Sequence, residues 1–450
     1  MYEEHENDIQ LFYKNTHHTA LLNQKNSPLL SVENIPMNSL IIYVSHEWLR
    51  DDFPDNSDGK QIQVLCSVLQ GLRNGDCSSE MIWSHVMSYQ NGEPYKTSSS
   101  EWKIILENAY IWFDWFSIPQ PFVEKDSDQR NLSVVDQQRA MQSLESYVDR
   151  ADFVLILTPT AKHSSRLNPI TKRHEHCCFR SWRTRALGVR EMFAAFLSRR
   201  KTHPLLLVRS AESKPVWISA NDAHRLCLGH SKFTCCEQNH STELTQYCRR
   251  TSAARHLSSL LEARVKMLFA MEDVFHARIY RSQRVRWLRG LVNSATTQKQ
   301  MNLKTFAKER LMWKKSKMSE GDGKFFDCNG VSLLIYTLMQ SNESLVQEAI
   351  KLAVSFEELE SRIRKPCPEI GLYKSGANSL IVAMMYATPE IVSLILNQGV
   401  NPGSVDDDGV DALTVACSFG HLENVRFWFK QFPQWDVTKC RSRSEGISSM

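Results

Sequence analysis

Four short apolar runs recur through the first half of the chain, each followed by a more polar segment. They occupy residues 39–44, 110–118, 152–157 and 204–208. Between them, apolar residues return at the spacing of an amphipathic helix, for example at Leu65, Val68 and Leu72. Strands that are apolar throughout and alternate with helices are typical of a parallel sheet with helices on both faces. The pattern therefore predicts a doubly wound α/β domain.

The last third of the chain repeats itself. Residues 376–383 and 409–416 align at an offset of 33 residues, and both segments begin with Gly and end with Ala. This period and these positions resemble ankyrin repeats, in which each copy is a turn and two short antiparallel helices. The resemblance implies an all-α ankyrin-repeat solenoid that binds other proteins. A degenerate copy is predicted from Gly330, and Ser444 opens a last copy that is incomplete at Met450.

These patterns divide the chain into four segments. They are a polar N-terminal extension at 1–38, an α/β domain with a Cys/His-containing insertion and a long helix at 39–290, a linker at 291–324, and ankyrin repeats at 325–450. The long helix follows from apolar residues at helical spacing from Leu257 to Ile279, and we expect it to pack on the sheet domain. The incomplete last copy indicates either a truncated sequence or an outer repeat face that something else covers.

Composition sets limits on the partners. The chain has 450 residues, with 54 Lys and Arg against 50 Asp and Glu, for a net charge of +4. This total provides no general attraction for nucleic acid or acidic membranes, so nucleic acid is not an expected partner. Basic residues nevertheless concentrate between Lys162 and Lys201, and again from Arg278 to Arg289. These stretches are either solvated faces or local sites for a dinucleotide, an RNA or an acidic protein.

No segment of the sequence predicts a membrane span or an export signal. The longest apolar runs fall well short of the roughly 18 residues of a membrane helix. The acidic start at 1–8 has no apolar region of the kind that directs export. We therefore expect a cytoplasmic protein in which most of the twelve cysteines stay reduced and serve as small core residues.

Motifs near the strand ends resemble those of TIR domains. They are Tyr-Val-Ser-His-Glu-Trp at 43–48, Phe-Asp-Trp-Phe-Ser-Ile-Pro-Gln at 113–120, Ala-Asp-Phe-Val-Leu-Ile-Leu-Thr-Pro at 151–159 and Arg-Ala-Leu-Gly-Val-Arg-Glu at 185–191. The last resembles the Trp-Cys-x-x-Glu element of the family, with Leu187 and Gly188 in place of Trp and Cys and Glu191 in the acidic position. The resemblance implies a TIR/flavodoxin-like fold. The combination of TIR-like motifs with ankyrin-like repeats is similar to that found in proteins of unicellular eukaryotes.

The resemblance also implies candidate site residues. In catalytic TIR domains the motif glutamate contacts the ribose of NAD while the bond to nicotinamide breaks, which makes Glu191 the catalytic candidate. A carboxylate beside the ribose stabilises an oxocarbenium-like transition state. Open α/β sheets bind ligands beyond the carboxyl ends of their strands. The substrate-binding candidates there are Ser45, His46, Trp48, Asp114 and Trp115. Alternatively, neither residue has a role in a site. The helix dipole favours a carboxylate such as Glu191 in the first turn of a helix whatever its function, and Trp115 packs in the core.

A cysteine and histidine cluster follows the α/β pattern. Its members are Cys227, His230, Cys235, Cys236 and His240. These side chains are common ligands of tetrahedral zinc, so zinc is a candidate cofactor. Their spacing matches no standard zinc template, and adjacent cysteines rarely reach one metal together. The alternative interpretation is a folded loop with reduced cysteines.

Two main classes of function are consistent with these features. The first is an intracellular signalling or scaffold protein, which binds a protein partner through ankyrin repeats and self-associates or acts through a TIR-like domain. The second is an NAD glycohydrolase that releases nicotinamide, with Glu191 as its key carboxylate. A third hypothesis is a zinc- or nucleic-acid-binding factor. The sequence identifies neither the protein partner nor the oligomeric state.

Overall fold

The structure, a computed structural model, describes most of the chain. The described residues are 16–50, 53–82, 95–124, 126–167, 171–198, 204–233, 249–288, 291, 302–310, 331–352 and 376–437. The chain divides into two compact units. The first comprises Met1–Ala223 and Ser231–Ser252, and the second comprises His224–His230 and Ala253–Met450. No helix within the described ranges is long and apolar enough to cross a membrane.

The described strands all belong to the first unit. They are β1 (Leu40–His46), β2 (Ser79–Met81), β3 (Lys96–Thr97), β4 (Ala109–Phe113), β5 (Phe153–Leu157), β6 (Ala161–Leu167), β7 (His174–Cys177), β8 (Leu205–Val208) and β9 (Val216–Ile218). Seven of them form one sheet in the order β3-β2-β9-β8-β5-β1-β4. The other two, β6 and β7, form a separate antiparallel pair.

Helices make up most of the remaining described structure. In the first unit they are α1 (His18–Leu22), α2 (Lys60–Asn74), α3 (Ser99–Glu107), α4 (Asp114–Ser117), α5 (Ser127–Gln142), α6 (Leu144–Arg150), α7 (Phe179–Trp182) and α8 (Ala186–Phe196). Those that follow are α9 (Arg249–Ala270), α10 (Val274–Leu288), α11 (Leu303–Thr305), α12 (Leu333–Gln340), α13 (Glu343–Leu352), α14 (Ser379–Tyr386), α15 (Pro389–Leu396), α16 (Ala412–Ser418) and α17 (Leu422–Gln431). A π-helix, Phe306–Arg310, continues α11.

The centre of the large sheet is parallel. β1 pairs with β4 on one side and with β5 on the other, and β5 pairs with β8, all in parallel. The antiparallel pairs are β8 with β9 and β2 with β3. After β1 the chain forms β2 and β3 at the far edge of the sheet, then β4 on one side of β1 and β5 on the other. The carboxyl ends of β1 and β5 therefore flank a point where the winding direction reverses, which is where open α/β sheets bind ligands.

The central strands are buried because their sequences are apolar on both faces. Every residue of β5 and of β8 is buried. Val44, Leu155 and Leu206 from three neighbouring strands share one core with Val68 of α2 and Trp102 of α3. The predicted α/β class and its parallel central strands are thus confirmed.

Part of the strand prediction was wrong in detail. The apolar run at 110–118 is not one strand, because β4 ends at Phe113 and α4 begins at Asp114. The side chain of Ser117 accepts a hydrogen bond from the Phe113 amide at 3.3 Å and helps to close this turn. Four strands, β2, β3, β6 and β7, have short or polar sequences that a pattern of apolar runs does not predict.

The long helix predicted for the segment around Leu257 to Ile279 is two helices, α9 and α10. The break contains Glu272, whose φ of 60° is left-handed, and Asp273, whose carboxylate accepts a hydrogen bond from the His276 amide at 3.2 Å. Such an acceptor starts a new helix. From Ala253 the chain groups with the C-terminal helices, so the two units divide elsewhere than at the predicted boundary after residue 290.

Helices of the second unit form two layers. In one layer, α10 packs against α12, α12 against α14, and α14 against α16. In the other, α13 packs against α15 and α15 against α17, while α12–α13, α14–α15 and α16–α17 are contacting pairs. All eight residues of α12 and all eight of α14 are buried. The assignment of these pairs to the ankyrin family stays a prediction.

Candidate functional site

The alternating side chains of β1 build two different clusters at its carboxyl end. Successive residues of a strand point to opposite faces of the sheet. Tyr43 and Ser45 therefore share one face, and His46 occupies the other. Each face meets one carboxylate, from Glu191 on α8 or from Asp114 at the start of α4.

The first cluster surrounds Glu191. The Tyr43 hydroxyl donates a hydrogen bond to Glu191 Oε1 at 2.7 Å, and the Ser45 hydroxyl donates a short hydrogen bond to Glu191 Oε2. The indole of Trp182, on α7, donates to Ser45 Oγ at 2.8 Å. Glu191 is only 4% exposed, and Tyr43, Ser45 and Trp182 are still more buried. We call these four residues the Glu191 cluster.

Electrostatics in the Glu191 cluster favour the protonated carboxyl. Burial raises the pKa of Glu191 to about 7, and hydrogen bonds from Ser45 and Tyr43 only partly offset this effect. Burial and the adjacent Glu191 carboxylate likewise raise the pKa of the Tyr43 hydroxyl well above its usual value. The cluster therefore holds a carboxyl that exchanges its proton near neutral pH and a phenol that remains neutral there.

Gly188 allows Trp182 to approach α8. A Cβ at position 188 would lie 2.6 Å from the carbonyl oxygen of Trp182 and 2.8 and 2.9 Å from two atoms of its indole ring. Only a residue without a Cβ fits this contact without displacement. In the sequence, Gly188 stands out only as a departure from the family element, and Trp182 carries no prediction. The available signal is a tryptophan shortly before a glycine in a helix.

The second cluster surrounds Asp114. His46 Nε2 lies 2.9 Å from Asp114 Oδ1, and the Trp48 indole donates to Oδ2 at 2.8 Å. The backbone amide of Trp115 also donates to Oδ1, at 2.7 Å. The Asp114 side chain is 25% exposed, whereas that of His46 is buried. We call His46, Trp48 and Asp114 the Asp114 cluster.

His46 and Asp114 stabilise each other's charged forms. Burial acts to lower the pKa of His46, but the charge and the hydrogen bond of Asp114 together raise it above its ordinary value. Burial acts to raise the pKa of Asp114, but His46 and the other donors hold it below its ordinary value. The second face of β1 therefore presents a partly exposed carboxylate beside a buried histidine, and each favours the charged form of the other.

Glu47 extends the first face toward α7 and α8. Its carboxylate forms an ion pair with Arg185 Nε at 2.5 Å and accepts a hydrogen bond from the Ser181 hydroxyl. Burial, followed by the nearby Glu47 charge, raises the pKa of the Cys177 thiol to about 12. Cys177 is thus a protonated core thiol, and it does not supply a thiolate nucleophile.

The structure brings the predicted substrate-binding residues to one edge of the sheet but divides them between two faces. Ser45 belongs to the Glu191 cluster, while His46, Trp48 and Asp114 form the Asp114 cluster. Trp115 is fully buried, and its ring packs against Trp48 and Phe53, with centroids 5.9 and 5.5 Å away. The position of Trp115 agrees with the alternative interpretation, in which this side chain packs in the core.

The zinc candidates are only partly described. The Cys227 thiol donates to the carbonyl oxygen of Arg286 at 3.4 Å, and the backbone of His230 lies in the 3₁₀ turn Leu228–His230. Cys235, Cys236 and His240 lie outside the described residues. Among the residues that are described, no group of three or more His, Cys, Asp or Glu side chains is arranged to hold a metal. Zinc stays a prediction.

The two clusters differ in what they can do chemically. Both oxygens of Glu191 are engaged by hydroxyl groups within the core, so this carboxyl holds α8 against β1. Asp114 retains exposure to solvent and presents negative charge at the winding reversal. No family model matches the chain, and no curated protein matches it either.

Proposed function

We propose that the chain is a signalling or scaffold protein that binds a protein partner through its C-terminal helix pairs and assembles through a TIR-like α/β unit. The observation that carries the proposal is the repeated construction of the pairs. The first helix of each pair begins at a capping side chain, Ser332, Asn378 or Asp411, which accepts a hydrogen bond from the amide three residues later.

Glycine positions support an ankyrin-like repeat. Gly376 and Gly409 have φ values of 81° and 79°, and each stands two residues before a capping residue. This left-handed conformation suits glycine and turns the chain into the next helix. Gly399, with φ 86°, follows α15 in the same way that a C-terminal glycine ends many helices. The same turn, cap and helix order thus recurs with the period of the sequence.

Strand order supports a TIR-like α/β unit. Numbered along the chain, the four central parallel strands follow the order 2-1-3-4, as in doubly wound folds of the flavodoxin type. Glu191 lies on the helix between the third and fourth of these strands, where the family element aligns. Fold likeness alone carries no activity, so the function depends on the sites.

Burial of the Glu191 cluster favours binding over catalysis. A catalytic carboxylate must reach the reacting atoms of its substrate. Glu191 instead contacts two hydroxyl groups inside the core, and its contact with a ribose would require both to move away. The same contacts instead fix α8 to β1, which is a structural role that a binding module also requires.

The binding role can be tested at the exposed turn between α15 and α16. Val405 and Asp408 are exposed there. We expect V405S/D408S in the full chain to lose specific partners during quantitative affinity purification from cells that express it. F429S/K430S, on exposed positions of α17, serves as the matched control and should retain them. An identical set of captured proteins for wild type, both variants and an empty tag would contradict the proposal.

A second candidate is an NAD glycohydrolase. The observation that favours it is the proximity of Glu191, with its pKa of about 7, and the partly exposed Asp114 to the winding reversal. A carboxylate there would stabilise positive charge on the ribosyl carbon as nicotinamide leaves. The scaffold proposal predicts no nicotinamide release from NAD by the full chain. Release that falls at least 100-fold in E191A, but not in the exposed control E107A, would establish the enzyme instead.

A further inference from the structure

The strands β6 and β7 form a separate two-stranded sheet, which has no role in the proposed function. The chain leaves the carboxyl end of β5 at Leu157 and enters β6 at Ala161. Among the described strands, β6 pairs with β7 and not with the large sheet, and the Ser164 amide donates a hydrogen bond to the Leu49 carbonyl oxygen at 2.8 Å. Ala161 lies opposite Cys177, and Lys162 lies opposite His176. We call the described residues of 161–177 the basic ribbon.

Cationic side chains dominate the exposed face of the basic ribbon. Its sequence contains four Lys and Arg residues against one carboxylate, Glu175. The side chains of Lys162, Lys172 and Arg173 are exposed, and they form no ion pair or hydrogen bond with the part of the chain that is described. Since neighbouring acidic groups do not neutralise these charges, the ribbon is a local source of positive potential in a nearly neutral chain.

His163 builds a bulge that exposes further donors. Its ring is fully buried, and Nδ1 accepts hydrogen bonds from the amides of Ser165 and Arg166 at 3.2 and 3.0 Å. Four residues of β6 here stand opposite the single residue Glu175 of β7. Such bulges increase the twist of a ribbon and redirect its side chains. Ser164 and Ser165 are both exposed as a result.

We propose that the basic ribbon binds the phosphate backbone of a nucleic acid duplex. A two-stranded ribbon is narrow enough to enter the major groove of B-form DNA, whereas contact with an RNA duplex would be to the backbone alone. Lysine, arginine and serine side chains are the usual donors to phosphate oxygens. The ribbon exposes both types of donor, from Lys162, Lys172 and Arg173 and from the two exposed serines. His174 and His176 are exposed as well, although His174 Nδ1 already lies 2.9 Å from the carbonyl oxygen of His163.

The side chains of the ribbon favour a duplex over other anionic partners. Single-stranded nucleic acid is usually held by stacking on aromatic rings, and the ribbon sequence contains no Phe, Tyr or Trp. A membrane surface is held by several inserted apolar side chains. Among the described ribbon residues, Leu167 is the one large apolar side chain that is exposed. Backbone contact with a duplex requires neither feature.

Fluorescence anisotropy of labelled 20-base-pair DNA and RNA duplexes with the full chain tests this proposal. K162A/K172A/R173A should weaken binding at least 10-fold at low salt. It should also reduce the magnitude of the slope of log affinity against log salt by about 2 to 3, because each phosphate contact contributes about 0.9 to that slope. The control K96A/K103A/R139A removes the same charge from exposed positions elsewhere in the first unit and should change affinity less than 2-fold. K162R/K172R should bind like wild type.

Three results would overturn the proposal. The first is an absence of duplex binding at low salt by a folded wild-type chain. The second is an equal weakening of duplex binding in K96A/K103A/R139A, because the attraction would then depend on the total charge of the chain. The third is displacement of the duplex by poly-glutamate or by vesicles of anionic lipid at equal charge concentration, because the ribbon would then bind a protein or a membrane surface. Circular dichroism of each variant verifies folding.

Discussion

Single residues of the first unit are constrained by close approach as much as by charge. Replacement of Gly188 by Ala places a Cβ within 3 Å of the backbone and indole of Trp182. We expect G188A to lower the free energy of unfolding by about 1–3 kcal/mol, because the buried indole must shift. Urea denaturation followed by circular dichroism measures this change. At Gly71, also in a helix, a Cβ would have its nearest heavy atom 4.0 Å away, so G71A should stabilise by about 0.5–1 kcal/mol. Equal stability of the two variants would contradict the close contact.

For single residues, the sequence pointed to Glu191 as a candidate but did not predict which side chains surround it. The helical pattern and the resemblance to the Trp-Cys-x-x-Glu element pointed to position 191 as a candidate. Its partners Tyr43 and Ser45 come from a distant segment, and only the packing of α8 on β1 brings them together. The alternation of β1 was available in the sequence and could have separated Ser45 from His46 in advance.

Elements of the second unit are held together by side chains that satisfy helix ends. Asn424 of α17 is buried, and its amide donates to the carbonyl oxygens of Met384 and Ala387 at the end of α14, at 3.2 and 3.0 Å. Helix ends leave carbonyl groups without helical partners. We expect N424A to lower the free energy of unfolding of this unit by about 1–3 kcal/mol, because both carbonyls lose their donor. Thermal unfolding provides the measurement, and N397A, at an exposed position, should stay within about 0.5 kcal/mol of wild type. A similar loss in N397A would assign the effect to general helix weakening.

Element prediction succeeded where the sequence was apolar and failed where it was polar. β5 and β8 are uninterrupted apolar runs, so their burial follows from composition alone. β6 and β7 carry mainly exposed polar residues, and their pairing depends on the bulge around His163. An amphipathic pattern also reveals that α9 and α10 bury one face, but it does not reveal which part of the chain covers that face.

Acid–base behaviour of the whole molecule should carry the signature of Glu191. Its pKa of about 7 lies above the ordinary value of 4.5, so the folded chain retains a proton that the unfolded chain releases. Stability from this group is complete below about pH 4.5 and is lost as pH rises toward 7, by a few kcal/mol at most. His46, whose pKa is also raised, adds a loss in the same direction, and part of that loss depends on the charge of Glu191. We expect the stability of E191Q relative to wild type to increase by about 2 kcal/mol between pH 5 and pH 8, as measured by urea unfolding. Parallel pH profiles would exclude a buried carboxyl with a raised pKa.

The order of side chains in β1 has a consequence for how this chain tolerates change in length. Tyr43 and Ser45 meet Glu191, while His46 meets Asp114, because neighbouring positions face opposite ways. Substitutions in β1 alter one cluster at a time. A one-residue insertion within the strand would exchange the faces and leave both carboxylates beside the wrong neighbours at once. Natural variation here should therefore consist of replacements, and gains or losses of residues should be confined to the loops before Leu40 and after Trp48.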